Sequence, residues 1–241
     1  MHIFSIICYH CKGYQFFKQT LREKGVRTNF RNDLKEAELV EQLLDKEIYP
    51  QLFSYCERKT DRTSQFAGVD IICDGAKVDE KAQIAYKNTP LPTQVLEISF
   101  LSKSGNNARK RGWFLDNKLE TQMYAFVFFP EVSGVEKRWD KLTDINQVER
   151  LELMLVDKYE LMDTVESMCP IANIARIADK MRKEELSKVQ HVNGLKLMLS
   201  DRLAEKPVNV VFKKKDFPLT VHAFWDKENG LTIVEDNRLD T

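Results

Sequence analysis

Asp74-Gly75 is the dipeptide that most constrains how this chain folds. It separates two runs rich in apolar residues, FAGVDIIC (66–73) and KVDEKAQIAY (77–86). Asp-Gly in that setting predicts a two-residue hairpin, because both turn positions take positive φ. Such a turn also fixes the register, so that Ile71 stands opposite Val78 and Asp70 opposite Asp79. Side chains alternate between the faces of a strand. One face therefore carries Asp70, Asp79, Lys81 and Gln83. The other carries Val69, Ile71, Cys73, Val78, Ala82 and Ile84, with Glu80 among them. Either Glu80 finds a partner there, or the register slips and Glu80 replaces Asp79 on the charged face.

Opposed β carbons in a sheet lie about 4.5–5.5 Å apart, and like charges so placed destabilise it. Lys81 relieves part of that repulsion, and a divalent cation relieves more. Mg²⁺ takes oxygen ligands, typically one or two carboxylates completed by water and phosphate oxygens. A bound ion of this kind activates water and stabilises charge on a phosphate. Lys81 is placed to orient the water or neutralise that charge. Asp70 and Asp79 are the candidate metal ligands, and Glu97, on the polar face of the next expected strand, is a further one.

The flanking sequence adds elements around this hairpin. Leu34, Ala37, Val40, Leu44 and Ile48 repeat at helical spacing behind an Asp33/Glu36 capping box, which predicts a helix over 33–49 ending before Pro50. QVLEISFL (94–101) reads as a third strand, and QMYAFVFF (122–129) as a buried strand bounded by Pro130. Residues 102–118, with Gly105, Asn106, Asn107 and Gly112, read as a loop. LELMLV (151–156) is a strand candidate, Ile174, Ile177, Ala178 and Met181 mark an amphipathic helix, and 193–204 is a second helix candidate. VNVVF (208–212), LTVHAF (219–224) and LTIV (231–234) read as short strands. The chain is thus of the mixed α/β (α+β) class, with a core over 1–157 and a C-terminal helical and small-β extension over 158–241.

Gly68-Val69-Asp70 followed by Asp79-Glu80-Lys81 resembles the PD-(D/E)XK nuclease superfamily. In that pattern an acid on one core strand precedes an acid-x-lysine triplet on the next. The resemblance covers roughly 33–129, with Val69 where proline is usual. It implies a restriction-endonuclease-like mixed central sheet flanked by helices, and Mg²⁺- or Mn²⁺-dependent phosphodiester cleavage in nucleic acid, DNA first. It makes Asp70, Asp79 and Lys81 the catalytic set. A carboxylate from the preceding helix, Glu38 or Glu41, assists in some members, and Glu80, Gln83 and Glu97 complete the candidates. The alternatives are a non-catalytic nucleic-acid- or protein-binding module on the same fold, and a metal-dependent hydrolase on a different one.

Charge is balanced, with 37 basic and 37 acidic residues, which excludes a polycationic nucleic-acid binder but not a local basic groove. RKR at 109–111 beside Trp113 is the candidate for such a groove, with phosphate contacts from Arg109, Lys110 and Arg111 and base stacking on the ring. KKK at 213–215 reads as a turn. The five cysteines are odd in number and do not read as a disulfide framework, so Cys73 is taken as a small hydrophobe. CYHC (8–11) lacks the second ligand pair a structural zinc site needs. No apolar run approaches the roughly 18 residues of a membrane span, and the start lacks a basic signal-peptide region. A cytoplasmic protein is expected, in an oligomeric state left open, a homodimer included.

Overall fold

The computed structural model describes residues 29–102, 108–136, 140–203 and 205–238. Expectations for Cys8, His10 and Cys11 lie outside the described residues, as do those for Gly105, Asn106 and Asn107.

In chain order, helix α1 (Asn29–Leu43) runs into a π-helical turn (Leu44–Ile48) and a closing turn (Tyr49–Leu52). Strand β1 (Cys56–Arg58) and the short helix α2 (Arg62–Phe66) precede the hairpin of β2 (Ile71–Cys73) and β3 (Ala76–Ala82). Then come β4 (Thr93–Leu101), β5 (Arg109–Arg111), β6 (Met123–Val132) and β7 (Val148–Asp157). Helices α3 (Lys158–Met168) and α4 (Ile171–Arg182) lead to β8 (Val189–Val192), β9 (Leu195–Leu199) and β10 (Val208–Lys213). The last strands are β11 (Leu219–Asp226) and β12 (Gly230–Asp236).

The chain divides into two compact units. The first holds residues 1–90, 120–157 and 219–241, and the second holds 91–119 and 158–218. This differs from the expected division at 157. The second unit is built from two excursions out of the first, and the strands expected in a C-terminal appendage are shared between them. β11 and β12 belong to the first unit's sheet, β10 to the second's.

The first unit's sheet has seven strands in the order β1-β2-β3-β6-β7-β11-β12, antiparallel throughout except for the parallel pair β3–β6. The neighbour of β3 is therefore β6, not β4. Buried Val40, Leu43, Leu44, Ile48 and Leu52 from α1 and its continuation pack on Ile71, Val78, Ala125, Val127, Leu153 and Ala223 of the sheet. The helix starts before the expected capping box and passes Pro50. The π turn restarts the bonding pattern just ahead of Pro50, so the missing N–H falls in a first turn, where it costs little. Glu36 is no cap but a buried anchor, accepting from Lys87 Nζ (2.9 Å) and the Leu142 N–H (2.8 Å). Pro130 does not end β6; the ladder to β7 instead shifts register between Phe128 and Glu131, where proline cannot donate.

A disulfide joins Cys56 to Cys73, which stand opposite each other on β1 and β2 with Cα atoms 4.1 Å apart. This overturns the reading of Cys73 as a free hydrophobe. It also stands against the expectation of a cytoplasmic protein, since disulfides persist where conditions are oxidising. No helix among the described residues is long and apolar enough to cross a membrane.

The second unit's sheet has the order β5-β4-β10-β9-β8, all antiparallel. The helix expected at 193–204 is instead the β8–β9 hairpin, turning at Asn193-Gly194 with φ of 47° and 82°. Gly112 lies so close to β4 that an added Cβ would stand 2.2 Å from the Glu97 carbonyl oxygen.

Candidate active site

The β2–β3 ladder has the register that the Asp74-Gly75 turn imposes: Ile71 opposite Val78, Ile72 opposite Lys77, Cys73 opposite Ala76. The turn residues take φ of 47° and 88°. The ladder stops one residue short of Asp70. There the backbone bends, and the Asp70 N–H donates to the Val78 carbonyl at 2.9 Å rather than pairing with Asp79. In place of a strand carbonyl, Asp70 Oδ2 accepts the Glu80 N–H at 2.8 Å. The carboxylate of Asp70 is thereby tied to the backbone of the acid-x-lysine triplet. FAGV ahead of it is not strand, as expected, but helix and turn.

Three side chains converge at this bend. Lys81 Nζ donates to Asp79 Oδ1, with the two side chains only 3% and 5% exposed. Asp79 Oδ2 is buried with no hydrogen-bond partner among the described residues. Burial and the charge of Asp79 push the Asp70 carboxyl up to about 7, against the opposing pull of Lys81 and the Glu80 N–H. Asp70, Asp79 and Lys81 thus sense one another as the hairpin register predicts, although Asp70 reaches the group from outside the ladder. Beside them, Asp79 stands opposite Tyr124 and Lys81 opposite Phe126 on β6, whose rings stack with centroids 5.7 Å apart.

Glu80 points to the other face of β3 and finds partners there. Tyr49 Oη donates to Glu80 Oε1 at 2.6 Å. Arg58 Nη1 donates to Oε2 at 2.7 Å and Nη2 to Oε1 at 3.0 Å. Arg58 Nε also bonds Asp45 Oδ2 at 2.9 Å. Burial works against the Arg58 charge, but Glu80 and Asp45 outweigh it and hold the guanidinium protonated. Burial raises the Tyr49 hydroxyl well above its usual value, and Glu80 adds to it, so Tyr49 remains a donor. Glu80 itself is raised by burial, with Arg58 opposing and Asp70 adding. The register does not slip, and Glu80 does not replace Asp79.

Glu41, Asp45 and Tyr49 recur every four residues and share one side of the helix. Burial first, then the Glu80 charge, pushes Glu41 up to about 7; Asp70 and Asp45 add to this and Arg58 opposes it. Of the two helix acids expected to assist, Glu38 is exposed and Glu41 senses Glu80, Arg58 and Asp70, on the face of β3 away from Asp79 and Lys81. A cavity of about 420 Å³, lined by Asp45, Tyr49, Phe53, Cys56, Arg58 and Ile71 among others, opens beside the Arg58 pairs. Arg58, Tyr49 and Asp45 were not foreseen from the sequence.

The remaining candidates lie elsewhere. Glu97 is on β4 in the second unit, opposite Asn209, so it is not on the strand next to β3. Gln83 is one residue past the end of β3, its N–H on the Val127 carbonyl at 2.8 Å. Arg109, Lys110 and Arg111 form the exposed edge strand β5 of the second unit. There Arg109 pairs with Asp179, and Arg111 Nη1 bonds Asn117 Oδ1 at 3.1 Å. Trp113 is 0% exposed, so its ring is core and offers no stacking surface.

Among the described residues, no three or more Asp, Glu, His or Cys side chains gather as a metal site. The hard-ligand group is the Asp70–Asp79 pair. The chain matches no protein-family model, no curated protein and no solved structure.

Proposed function

We propose that the first unit is a Mg²⁺- or Mn²⁺-dependent phosphodiesterase acting on nucleic acid, DNA in the first instance, with a restriction-endonuclease-like arrangement of strands. The observation that carries this reading is the convergence of Asp70, Asp79 and Lys81, three residue types with complementary tasks. The buried Asp79 Oδ2, which accepts no hydrogen bond, and the Asp70 carboxyl, raised by burial first and then by the charge of Asp79 and a hydrogen bond to it, fit a dication, because two adjacent buried carboxyls cannot both ionise without added positive charge. Asp70 and Asp79 would hold it, and two carboxylates suffice when water and phosphate oxygens complete the shell. When bound, such an ion lowers the pKa of water and stabilises charge on phosphate.

The chain's own residues supply the rest. Asp70, raised to about 7, holds a proton near neutrality that it would give up if the pair held a dication. The Glu80 N–H keeps the Asp70 carboxylate in place through that change. Lys81 supplies an ammonium against Asp79 that offsets negative charge building on the phosphate. Purified protein is expected to cut DNA or RNA with Mg²⁺. Lys81→Ala is expected to lose that activity while keeping its far-UV circular dichroism, at a lower melting temperature because it strands buried Asp79; an equally active Lys81→Ala variant ends the mechanism.

One observation favours a second reading. Asp79 and Lys81 are 4% and 5% exposed and already paired, which suits a closed ion pair in a non-catalytic binding module. Such a pair is often replaceable by apolar residues without loss of stability. Asp79→Leu/Lys81→Met at full stability, in a protein that neither binds Mn²⁺ nor cleaves, selects this reading.

A further inference from the structure

Helix α2 is a segment whose structure is not explained by packing. None of its residues is buried. It is held by hydrogen bonds instead. Asp61 caps it, accepting from the Ser64 N–H at 2.9 Å and the Ser64 hydroxyl at 2.6 Å. Its exit is fastened by Val69 N–H to the Ser64 carbonyl at 3.0 Å and Gly68 N–H to the Gln65 carbonyl at 3.2 Å. From the start of β6's approach, the Glu120 N–H reaches the Ala67 carbonyl and the Thr121 hydroxyl the Gly68 carbonyl, each at 2.7 Å. This fixes the helix directly ahead of Asp70 and leaves its side chains outside.

Two of those side chains form a pair. The Phe66 ring is 41% exposed, and the Arg62 guanidinium lies over it, 5.1 Å from its centroid. Among the described residues Arg62 has no ion-pair partner. The other arginines of this unit with described side chains, Arg58, Arg150 and Arg238, each pair with a carboxylate. A cation without an ion-pair partner over an exposed ring, the ring four residues before a candidate metal ligand, matches what a nucleic-acid strand presents: an anionic backbone and a flat base. Stacking on an aromatic ring is available to every base, and arginine adds attraction both to the ring and to phosphate.

We propose that α2 is the substrate-contact element of this site, with Phe66 stacking an unpaired base and Arg62 meeting an adjacent phosphate. The inference rests on the proposed function and narrows its substrate to strands with accessible base faces, such as single strands, frayed ends or flaps. Bases inside an intact duplex do not offer those faces.

The test is binding by fluorescence anisotropy, with Ca²⁺ in place of Mg²⁺, of short oligothymidylate, oligouridylate, a wholly abasic strand and a blunt duplex. Phe66→Ala is expected to weaken oligothymidylate and oligouridylate binding roughly 5- to 100-fold. Phe66→Trp restores it, and the abasic strand binds weakly and equally to wild type and Phe66→Ala. Arg62→Ala weakens all strands and makes binding less steeply salt-dependent. Dependence of both oligothymidylate and oligouridylate binding on Phe66 supports the proposal. Equal affinity of wild type and Phe66→Ala for base-bearing strands overturns it, as does a duplex bound as tightly as a single strand. Wild type that binds single strands through Phe66 but cuts nothing with Mg²⁺ ends the nuclease reading and leaves this contact standing. Wild type that binds no oligonucleotide ends both.

Discussion

The two faces of β3 carry the same ingredients and finish them differently. On the face toward α1, both oxygens of Glu80 are taken, by Tyr49 and by a guanidinium that also grips Asp45. On the opposite face Lys81 takes one oxygen of Asp79 and leaves the other buried and unpartnered, with Asp70 raised beside it. A buried charge with every lone pair occupied behaves as architecture. A buried charge left short of partners is costly unless something else arrives. Neighbouring residues on one strand therefore carry opposite assignments, and each assignment can be broken separately.

The largest expected effect is on the open face. Lys81→Ala should lower phosphodiester cleavage by roughly 10²–10⁴-fold, far beyond what its loss of stability accounts for when assayed well below its own unfolding midpoint; single-turnover assays with DNA and RNA measure it. The closed face should answer in stability. Arg58→Ala strands Glu80 and Asp45 and is expected to cost about 3 kcal/mol or more in urea unfolding. If Arg58→Ala instead leaves stability intact and abolishes cleavage, the two faces have been assigned the wrong way round. Reduction of the Cys56–Cys73 bond, which closes a loop of 17 residues in sequence separation, should cost about 3 kcal/mol, read from melts with and without a dithiol.

The pH dependence sharpens the comparison most. Folded Asp70 and Glu41 titrate near 7, against about 4 in an unfolded chain. Between those values the folded protein binds more protons than the unfolded one. Stability is therefore highest at or below about pH 4–5 and falls as pH rises through 7. The metal-free protein should lose about 2–3 kcal/mol for each of the two groups between pH 5 and 8. Asp70→Asn should flatten that slope, and Mg²⁺ should recover the loss at pH 8 and not at pH 5. A slope insensitive to both Asp70→Asn and Mg²⁺ places the uncompensated charge elsewhere.

Much of the central hairpin was legible because Asp74-Gly75 fixes backbone geometry locally, and alternation then separates a dry face from a charged one. What escaped depends on partners distant in sequence. β1 is three residues long, Cys-Glu-Arg, and carries no periodicity, so neither Arg58 nor the disulfide to Cys73 could be read from it. Glu41, Asp45 and Tyr49 do form a legible helical line, but their target, Glu80, appears only when α1 lies on the sheet. TQVLEISFL alternates as a strand should, yet alternation does not say which sheet it joins, and Glu97 went to the other one. Trp113 beside three cations gives the same local pattern whether its ring is buried or open. Asn193-Gly194 carries the hairpin signal of Asp74-Gly75, and Leu195, Leu197 and Leu199 alternate after it, so the expected helix at 193–204 set aside a local rule that held.

The parallel pair β3–β6 is joined through the first excursion into the second unit, and β7 is joined to β11 through the other. On the ribosome this imposes an order of assembly. β11 and β12 emerge only after every strand of the second unit has been made, so the first unit's sheet is the last to be completed. Until then β7 presents the growing chain with an unpaired apolar edge, Leu151 to Val156. That edge is the point at which a nascent chain of this topology is most exposed to aggregation and most in need of a chaperone.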